Sequence, residues 1–186
     1  MAVGMVIPMK KVLILSSSPR KGGNSQTLCE QFAKGAQEAG HTVDLISLRE
    51  KSLHCCTGCL ACLQTGACVQ KDDAAEIMEK MLAADVIVLA TPVYFYSMSA
   101  QMKMLIDRTV PVYERLNNKE IYFIITQTDP DKDAMERTIE ALRGFTDGCL
   151  ENPIERGILR GAGLQKVGEA QQSPLMQDAY EMGKQV

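Results

Sequence analysis

The run Cys56-Thr57-Gly58-Cys59-Leu60-Ala61-Cys62, followed by Cys68, places four thiols within thirteen residues. Thiolates at intervals of two, two and five residues lie close enough to share one compact inorganic centre, and an iron-sulfur cluster is the sharpest reading of that spacing. Three other readings stand beside it. Structural zinc usually draws two close pairs from separated stretches, so that the chain wraps a tetrahedron. A disulfide framework needs an oxidising compartment, whereas this chain has seven cysteines, an odd number, and carries no secretory signal. Finally, the thiols can be redox-labile without metal, with Gly58 and Gly66 serving only to turn the loop. Cys68 precedes Val69, so the Cys-Pro ending of ferredoxin motifs is not matched. Cys29 and Cys149 read as small hydrophobes, and Cys55 as a bystander.

Two further stretches carry chemistry. Ser16 to Thr27 (SSSPRKGGNSQT) combines hydroxyls, amides, two glycines and two cations between an apolar run and a helical pattern. Backbone N–H groups at a helix N-terminus and the hydroxyls of Ser16, Ser18, Ser25 and Thr27 suit one phosphate. The stretch is neither a dinucleotide Gly-x-Gly-x-x-Gly nor a triphosphate P-loop, so a mononucleotide fits best. The same composition also makes plain turn and cap chemistry. The second stretch, Thr91-Pro92-Val93-Tyr94-Phe95-Tyr96-Ser97-Met98-Ser99, sets three adjacent aromatics on a loop in a chain with nine Phe and Tyr in all. Backbone groups of such a loop can meet the edge of a planar heterocycle while side chains wall it, although the aromatics can equally seat a partner subunit.

Strand-like and helix-like segments alternate along the chain, the pattern of an α/β fold. Strands are expected at Val12 to Ser16, His41 to Leu48, Val86 to Ala90, Glu120 to Thr126 and, more weakly, Ile154 to Arg160. Five helices are expected between and after them. Asn24 or Ser25 caps the first, Asp73 with Glu76 the second, Ser99 to Thr109 and Ala134 to Phe145 form the next two, and Ser173-Pro174 opens the last. The expected architecture is a flavodoxin-like three-layer sandwich with a five-stranded parallel sheet of order 2-1-3-4-5. Ligands of such sheets sit outside the carboxyl ends of the strands where the order reverses, which gathers the loops after strands one, three and four. The cysteines fall on the loop after strand two.

The 186 residues, 46% of them hydrophobic, suit one domain over 1–186, with 1–9 as a flexible extension. A net charge of −3, with cations scattered along the chain, disfavours nucleic acid. The apolar runs have strand length, short of a membrane span, so a cytoplasmic protein without membrane attachment is expected. Neither His41 nor His54 has a plausible partner in sequence; Lys103 reads as a solvated helix face, and Asp107-Arg108 as an ion pair.

Taken in order, Ser16-Ser17-Ser18-Pro19-Arg20 through Asn24-Ser25, the cysteine run, Lys71-Asp72-Asp73, Thr91-Pro92-Val93-Tyr94 and Met98-Ser99-Ala100-Gln101-Met102-Lys103 to Ile106-Asp107-Arg108 resemble the NADPH-dependent FMN reductase family. The cysteine intervals are similar to those of its iron-sulfur flavoprotein branch. The resemblance, over roughly residues 10 to 130, implies FMN phosphate on Ser16, Ser18, Arg20, Asn24, Ser25, Gln26 and Thr27. It further implies an isoalloxazine against Pro92, Val93, Tyr94 and Phe95, with Thr126, Gln127 and Asp129 closing one side, and a 4Fe-4S cluster on Cys56, Cys59, Cys62 and Cys68. The implied activity is NAD(P)H oxidation through bound FMN to a small acceptor such as a flavin, quinone or xenobiotic, with no side chain acting as a nucleophile. An electron carrier with a ferredoxin-like partner is the alternative, and a zinc-loaded binding module is a third. A homodimer or higher homo-oligomer is expected, because the aromatic loop would leave apolar surface exposed.

Overall fold

The computed structural model describes residues 8–186. The extension expected over residues 1–9 lies outside them except for Pro8 and Met9. Five strands, β1 (Lys11–Ser16), β2 (Thr42–Ser47), β3 (Val86–Pro92), β4 (Glu120–Thr126) and β5 (Ile154–Gly161), form one sheet of order β2-β1-β3-β4-β5. All four pairings are parallel. Parallel neighbours need crossover connections, and the helices supply them. The flavodoxin-like order 2-1-3-4-5 expected from the sequence is the one observed.

Alternate strand residues point to opposite faces, and the chain fills both. Leu13, Leu15, Ile87, Leu89, Ile121, Phe123 and Ile125 pack beneath α3 (Ala74–Ala83), α4 (Ala100–Arg108) and α5 (Glu136–Cys149), through residues such as Ile77, Met81, Leu105 and Leu142. Val12, Ile14, Val86, Val88, Tyr122 and Ile124 pack beneath α1 (Asn24–Glu38) and α6 (Leu175–Lys184), through Leu28, Phe32, Ala36 and Ala179. This double coverage is why β3 reads as a continuous apolar run. Five methionines, Met78, Met81, Met98, Met102 and Met135, fill the first of these cores.

Local details depart from expectation. A short additional helix, α2 (Ala61–Thr65), lies inside the cysteine loop, so the described residues form six α-helices and not five. Gly23 occupies the N-cap of α1, which leaves Asn24 and Ser25 inside the first turn. Asp73 does not cap α3 with its side chain; Asp72 Oδ1 accepts from Ala74 N at 3.2 Å instead. Cys149, read as a packed hydrophobe, is exposed, whereas Cys29 is fully buried and burial pushes its thiol far above the usual range. Among the described residues no helix is long and apolar enough to cross a membrane.

Candidate functional site

The loops after β1, β3 and β4 meet in one cleft at the carboxyl ends of the strands, where β1 and β3 lie side by side but their chains leave in opposite directions. Its lining draws Ser18, Arg20, Asn24 and Ser25 from the first loop, Pro92, Val93 and Tyr94 from the second, and Thr126 and Gln127 from the third. All nine are among the sequence-predicted residues. Gly23, Thr128 and Leu164 complete the wall. Leu164 was missed: it belongs to the loop after β5 and enters because its N–H donates to Gln127 O at 2.8 Å, a contact with no sequence signal. Ser16, Gln26, Thr27, Phe95 and Asp129 do not line the cleft.

The first loop is fixed from behind. Ser17 Oγ donates to Ala90 O at 2.8 Å, and Ser99 Oγ lies 2.9 Å from Ser17 Oγ and 3.1 Å from Ser17 O. Ser99 also caps α4, accepting from Met102 N. One buried hydroxyl thus ties the β1 loop to the β3 loop. Ser99→Ala is expected to cost about 1 to 2 kcal/mol, read as a lower urea midpoint, because it removes a cap and a buried tie together.

Two predicted anion ligands are engaged elsewhere. Asn24 donates from Nδ2 to Lys166 O at 2.9 Å and accepts at Oδ1 from Ala170 N at 3.1 Å, so its side chain tethers the loop after β5. Arg20, exposed, donates from Nη1 to Gln165 O at 2.8 Å. By contrast the hydroxyls of Ser16 and Ser25 are buried with no hydrogen-bond partner among the described residues. Buried orphan hydroxyls are rare and call for an acceptor or donor supplied from outside the chain.

The aromatic loop folds as a tight hairpin turn. Tyr94 and Ser97 exchange backbone hydrogen bonds of 2.9 and 3.1 Å, and Phe95 and Tyr96 between them hold φ of 50° and 60°. Turns with two positive φ values normally use Asn and Gly; two bulky aromatics there are strained. Phe95 is completely exposed. Tyr96 carries the Arg137 guanidinium 5.4 Å above its ring. On the other side Gln127 is locked by bonds from Nε2 to Asp129 O and Asp131 O, which leaves Asp129 supporting the wall from outside.

The cysteine loop leaves the end of β2 and is stitched at its base. Ser52 N donates to Asp73 Oδ2 at 2.7 Å, Asp73 N to Ser52 O at 3.0 Å, and Gln70 Nε2 to Cys55 O at 3.0 Å. Above the stitch, Gly58, Leu60 and Gly66 take left-handed φ of 66°, 57° and 70° and turn the chain back on itself. Cys56, Cys59, Cys62 and Cys68 then line one hollow with Leu60, Val69 and Val110. Among the described residues no three His, Cys, Asp or Glu side chains converge closely enough to hold a single metal ion. A backbone hydrogen bond from Ala61, with the Thr57 side chain, lowers the Cys59 thiol from its ordinary value.

A buried ion pair lies beside this hollow. Arg108 does not pair with Asp107, which instead bonds Lys103. Arg108 is buried and forks onto Asp72 at 2.6 and 3.0 Å, and its Nη2 donates to Cys68 Sγ at 3.3 Å. Hydrogen bonding to Arg108 holds the Asp72 carboxyl well below the usual carboxylate range. His54, for which no partner was foreseen, places Nδ1 3.1 Å from Asp72. His41, unlike the exposed His54, is buried, and accepts from Lys10 N at 3.1 Å.

The sequence profile of the NADPH-dependent FMN reductase family matches residues 10–150. The chain belongs to that family. Over 102 residues it is 44% identical to an iron-sulfur flavoprotein of Methanocaldococcus jannaschii, a match covering 55% of this chain and 53% of the relative. Over 100 residues it is 40% identical to an iron-sulfur flavoprotein of Methanosarcina thermophila, covering 54% and 52%. The chain thus matches about half the length of these curated relatives. An NAD(P)H:quinone oxidoreductase from Methanothermobacter marburgensis superposes with a TM-score of 0.74 at 19% identity, covering 95% of this chain and 96% of that one. An azoreductase from Bacillus anthracis gives 0.71 at 16%, covering 96% and 100%. At those identities the likeness shows the flavodoxin-like fold alone. FMN reductase membership implies FMN and a nicotinamide co-substrate. The orphan hydroxyl of Ser25 and the first-turn N–H groups of α1 fit the phosphate end of such a cofactor.

Proposed function

We propose that the chain, as one FMN-binding domain, is an FMN-dependent NAD(P)H oxidoreductase that passes electrons to a small acceptor, with a 4Fe-4S cluster on Cys56, Cys59, Cys62 and Cys68 as a second redox centre. The observation that carries the flavin reading is the buried Ser25 hydroxyl, without a partner among the described residues, in the first turn of the helix that opens onto the cleft. Bound FMN would supply the acceptance of hydride from the nicotinamide and its release as electrons. The chain's own residues bind and orient. Ser18, Ser25 and the backbone of the α1 first turn hold the phosphate, and Arg20 keeps guanidinium N–H groups free beyond its bond to Gln165. Pro92, Val93 and Tyr94 wall the ring, the Val93 and Tyr94 N–H groups being already bonded to Thr126 O and Ser97 O, while Leu164 and the locked Gln127 exclude water. Phe95, exposed on a strained turn, suits a homodimer in which a second copy covers it.

The four-cysteine donor set supports the cluster, since soft thiolates suit iron and sulfide, and the four thiols line one hollow together with Leu60, Val69, Val110, Thr57 and Gln70. The similarity to iron-sulfur flavoproteins supports the same reading, and with it a second one: a carrier exchanging electrons with a ferredoxin-like protein. The test is anaerobic purification followed by absorption spectroscopy, iron and sulfide analysis, and mixing with NADPH. Flavin bands, about four iron and four sulfide per chain, and bleaching of the flavin by NADPH within seconds are the expected results. Bleaching only by a low-potential protein would favour the carrier, and a colourless protein that takes up no FMN would sink both.

A further inference from the structure

Arg108 sits at the last residue of α4, the helix whose first turn Ser99 ties to the phosphate loop. Its guanidinium has five N–H groups, and four are spent within the described residues. Nη1 donates to His54 O at 2.8 Å and to Asp72 Oδ2, and Nη2 donates to Asp72 Oδ1 and to Cys68 Sγ. Nε has no partner. The Asp72 and Arg108 side chains are both 1% exposed, so this is a desolvated pair whose geometry every neighbour helps to set. Burying a guanidinium N–H against a neutral thiol would be a weak use of a strong donor, because a thiol sulfur is a poor acceptor. The arrangement makes sense if Cys68 sulfur carries negative charge as a cluster ligand.

We infer that Arg108 is a positioning residue that fixes Cys68 against the iron-sulfur centre and raises the centre's reduction potential, with Asp72 setting how much of its charge the sulfur feels. The inference rests on the reading of the four cysteines as cluster ligands. In a bound cluster, reduction would add one electron and one negative charge beside a Cys68 sulfur that accepts a hydrogen bond from the buried Arg108 cation. That bond strengthens as the sulfur becomes more negative, so it favours the reduced form; hydrogen bonds to ligand sulfurs are among the levers that set such potentials. Asp72, forked on the other edge of the same guanidinium, works in the opposite sense by neutralising it. The two residues should therefore move the potential in opposite directions.

The test is an anaerobic dithionite titration followed by electron paramagnetic resonance of the iron centre, on the whole chain with FMN bound. Arg108→Gln is expected to lower the midpoint, with a change of about tenfold in the one-electron equilibrium constant, or about 59 mV. Asp72→Asn, close in shape, is expected to raise it severalfold on the same scale. The FMN midpoint serves as internal control and should stay put. Arg108→Lys, which keeps the charge and loses the fork, should hold iron and fall between wild type and Arg108→Gln, and it carries the arginine arm if the glutamine variant loses its iron. A merely structural ion pair would lower iron content without moving the potential of the remaining centres. Unmoved potentials, or shifts of the same sign in the Arg108 and Asp72 variants, overturn the inference while leaving the cluster standing. Wild-type protein without iron or sulfide overturns the cluster reading and the inference with it.

Discussion

Replacing Gly23 with alanine is expected to weaken FMN binding by about a hundredfold, measured by quenching of FMN fluorescence on titration with protein, while the far-ultraviolet circular dichroism stays that of the wild type. Backbone conformation is not the reason, since Gly23 sits at φ −63° and ψ 155°, which alanine adopts freely. The reason is room. A Cβ at this position would lie 2.3 Å from Ser18 Oγ and 3.2 Å from Arg20 O. Ser18 cannot turn away without loss, because its hydroxyl already accepts from Arg20 N at 3.3 Å within the bend that Gly23 closes through its own bond to Arg20 O. The methyl group would therefore open the bend proposed to cup the phosphate and move Ser18 out of place. Hydrogen bonds to a charged group are worth about 1.5 to 3 kcal/mol each. Losing one and loosening a second comes to about 3 kcal/mol, and each 1.4 kcal/mol is tenfold in affinity. Gly22→Ala is the control. Gly22 is held at φ 63° and its would-be Cβ would meet only Val167 Cγ1, at an ordinary contact distance of 4.0 Å, so alanine there costs about 1 kcal/mol of conformational strain and leaves the cradle standing. Equal losses of FMN affinity in the two variants would refute the steric account.

The sheet was legible in the sequence because its strands are covered on both faces. Val86 to Ala90 and Ile121 to Ile125 are unbroken apolar runs, and only a strand buried from both sides wants one. The cleft was legible for a related reason: Ser18 and Ser25 fall on the loop and first helical turn after β1, and Pro92 and Tyr94 on the end of β3 and its loop, which topology must bring together. What remained hidden depended on contacts made far along the chain. Asn24 looked like an anion ligand or a cap, but its partners lie more than 140 residues away, on the loop after β5. Leu164 reached the cleft by that same loop. Arg108 was misread beside Asp107, although neighbours i and i+1 on a helix do not face each other and Lys103 to Asp107, at i and i+4, do. Helical geometry alone could have freed Arg108 from that pairing; its true partner, Asp72, sits 36 residues back across the core.

The second large effect concerns the contact of α1 with α6, where two glycines let the helix backbones touch. A Cβ on Gly35 would lie 2.1 Å from Tyr180 O, and one on Gly183 2.1 Å from Phe32 O. Those are backbone atoms and cannot swing aside. Glycine within a helix ordinarily costs about 1 kcal/mol relative to alanine, so Gly→Ala should stabilise wherever space allows. Gly144 on α5 is such a place, with nothing within 4 Å of its would-be Cβ, and Gly144→Ala is expected to raise the urea midpoint. At Gly183 the sign should reverse. Overpacking typically costs 1 to 3 kcal/mol and occasionally more, and a clash with rigid backbone belongs at the upper end, which leaves Gly183→Ala destabilised by about 2 kcal/mol after the propensity gain. The m-value should not change, since the same surface is exposed on unfolding. Because α6 lies away from the cleft, FMN affinity of the folded fraction should be unaltered. The double variant Gly35→Ala/Gly183→Ala is the sharper measurement. Once one methyl group has pushed α6 outward, the second finds part of the space already made, so the double should cost clearly less than the sum of the singles. Strict additivity would mean that the two glycines relieve separate local clashes, and that α6 does not move as one body.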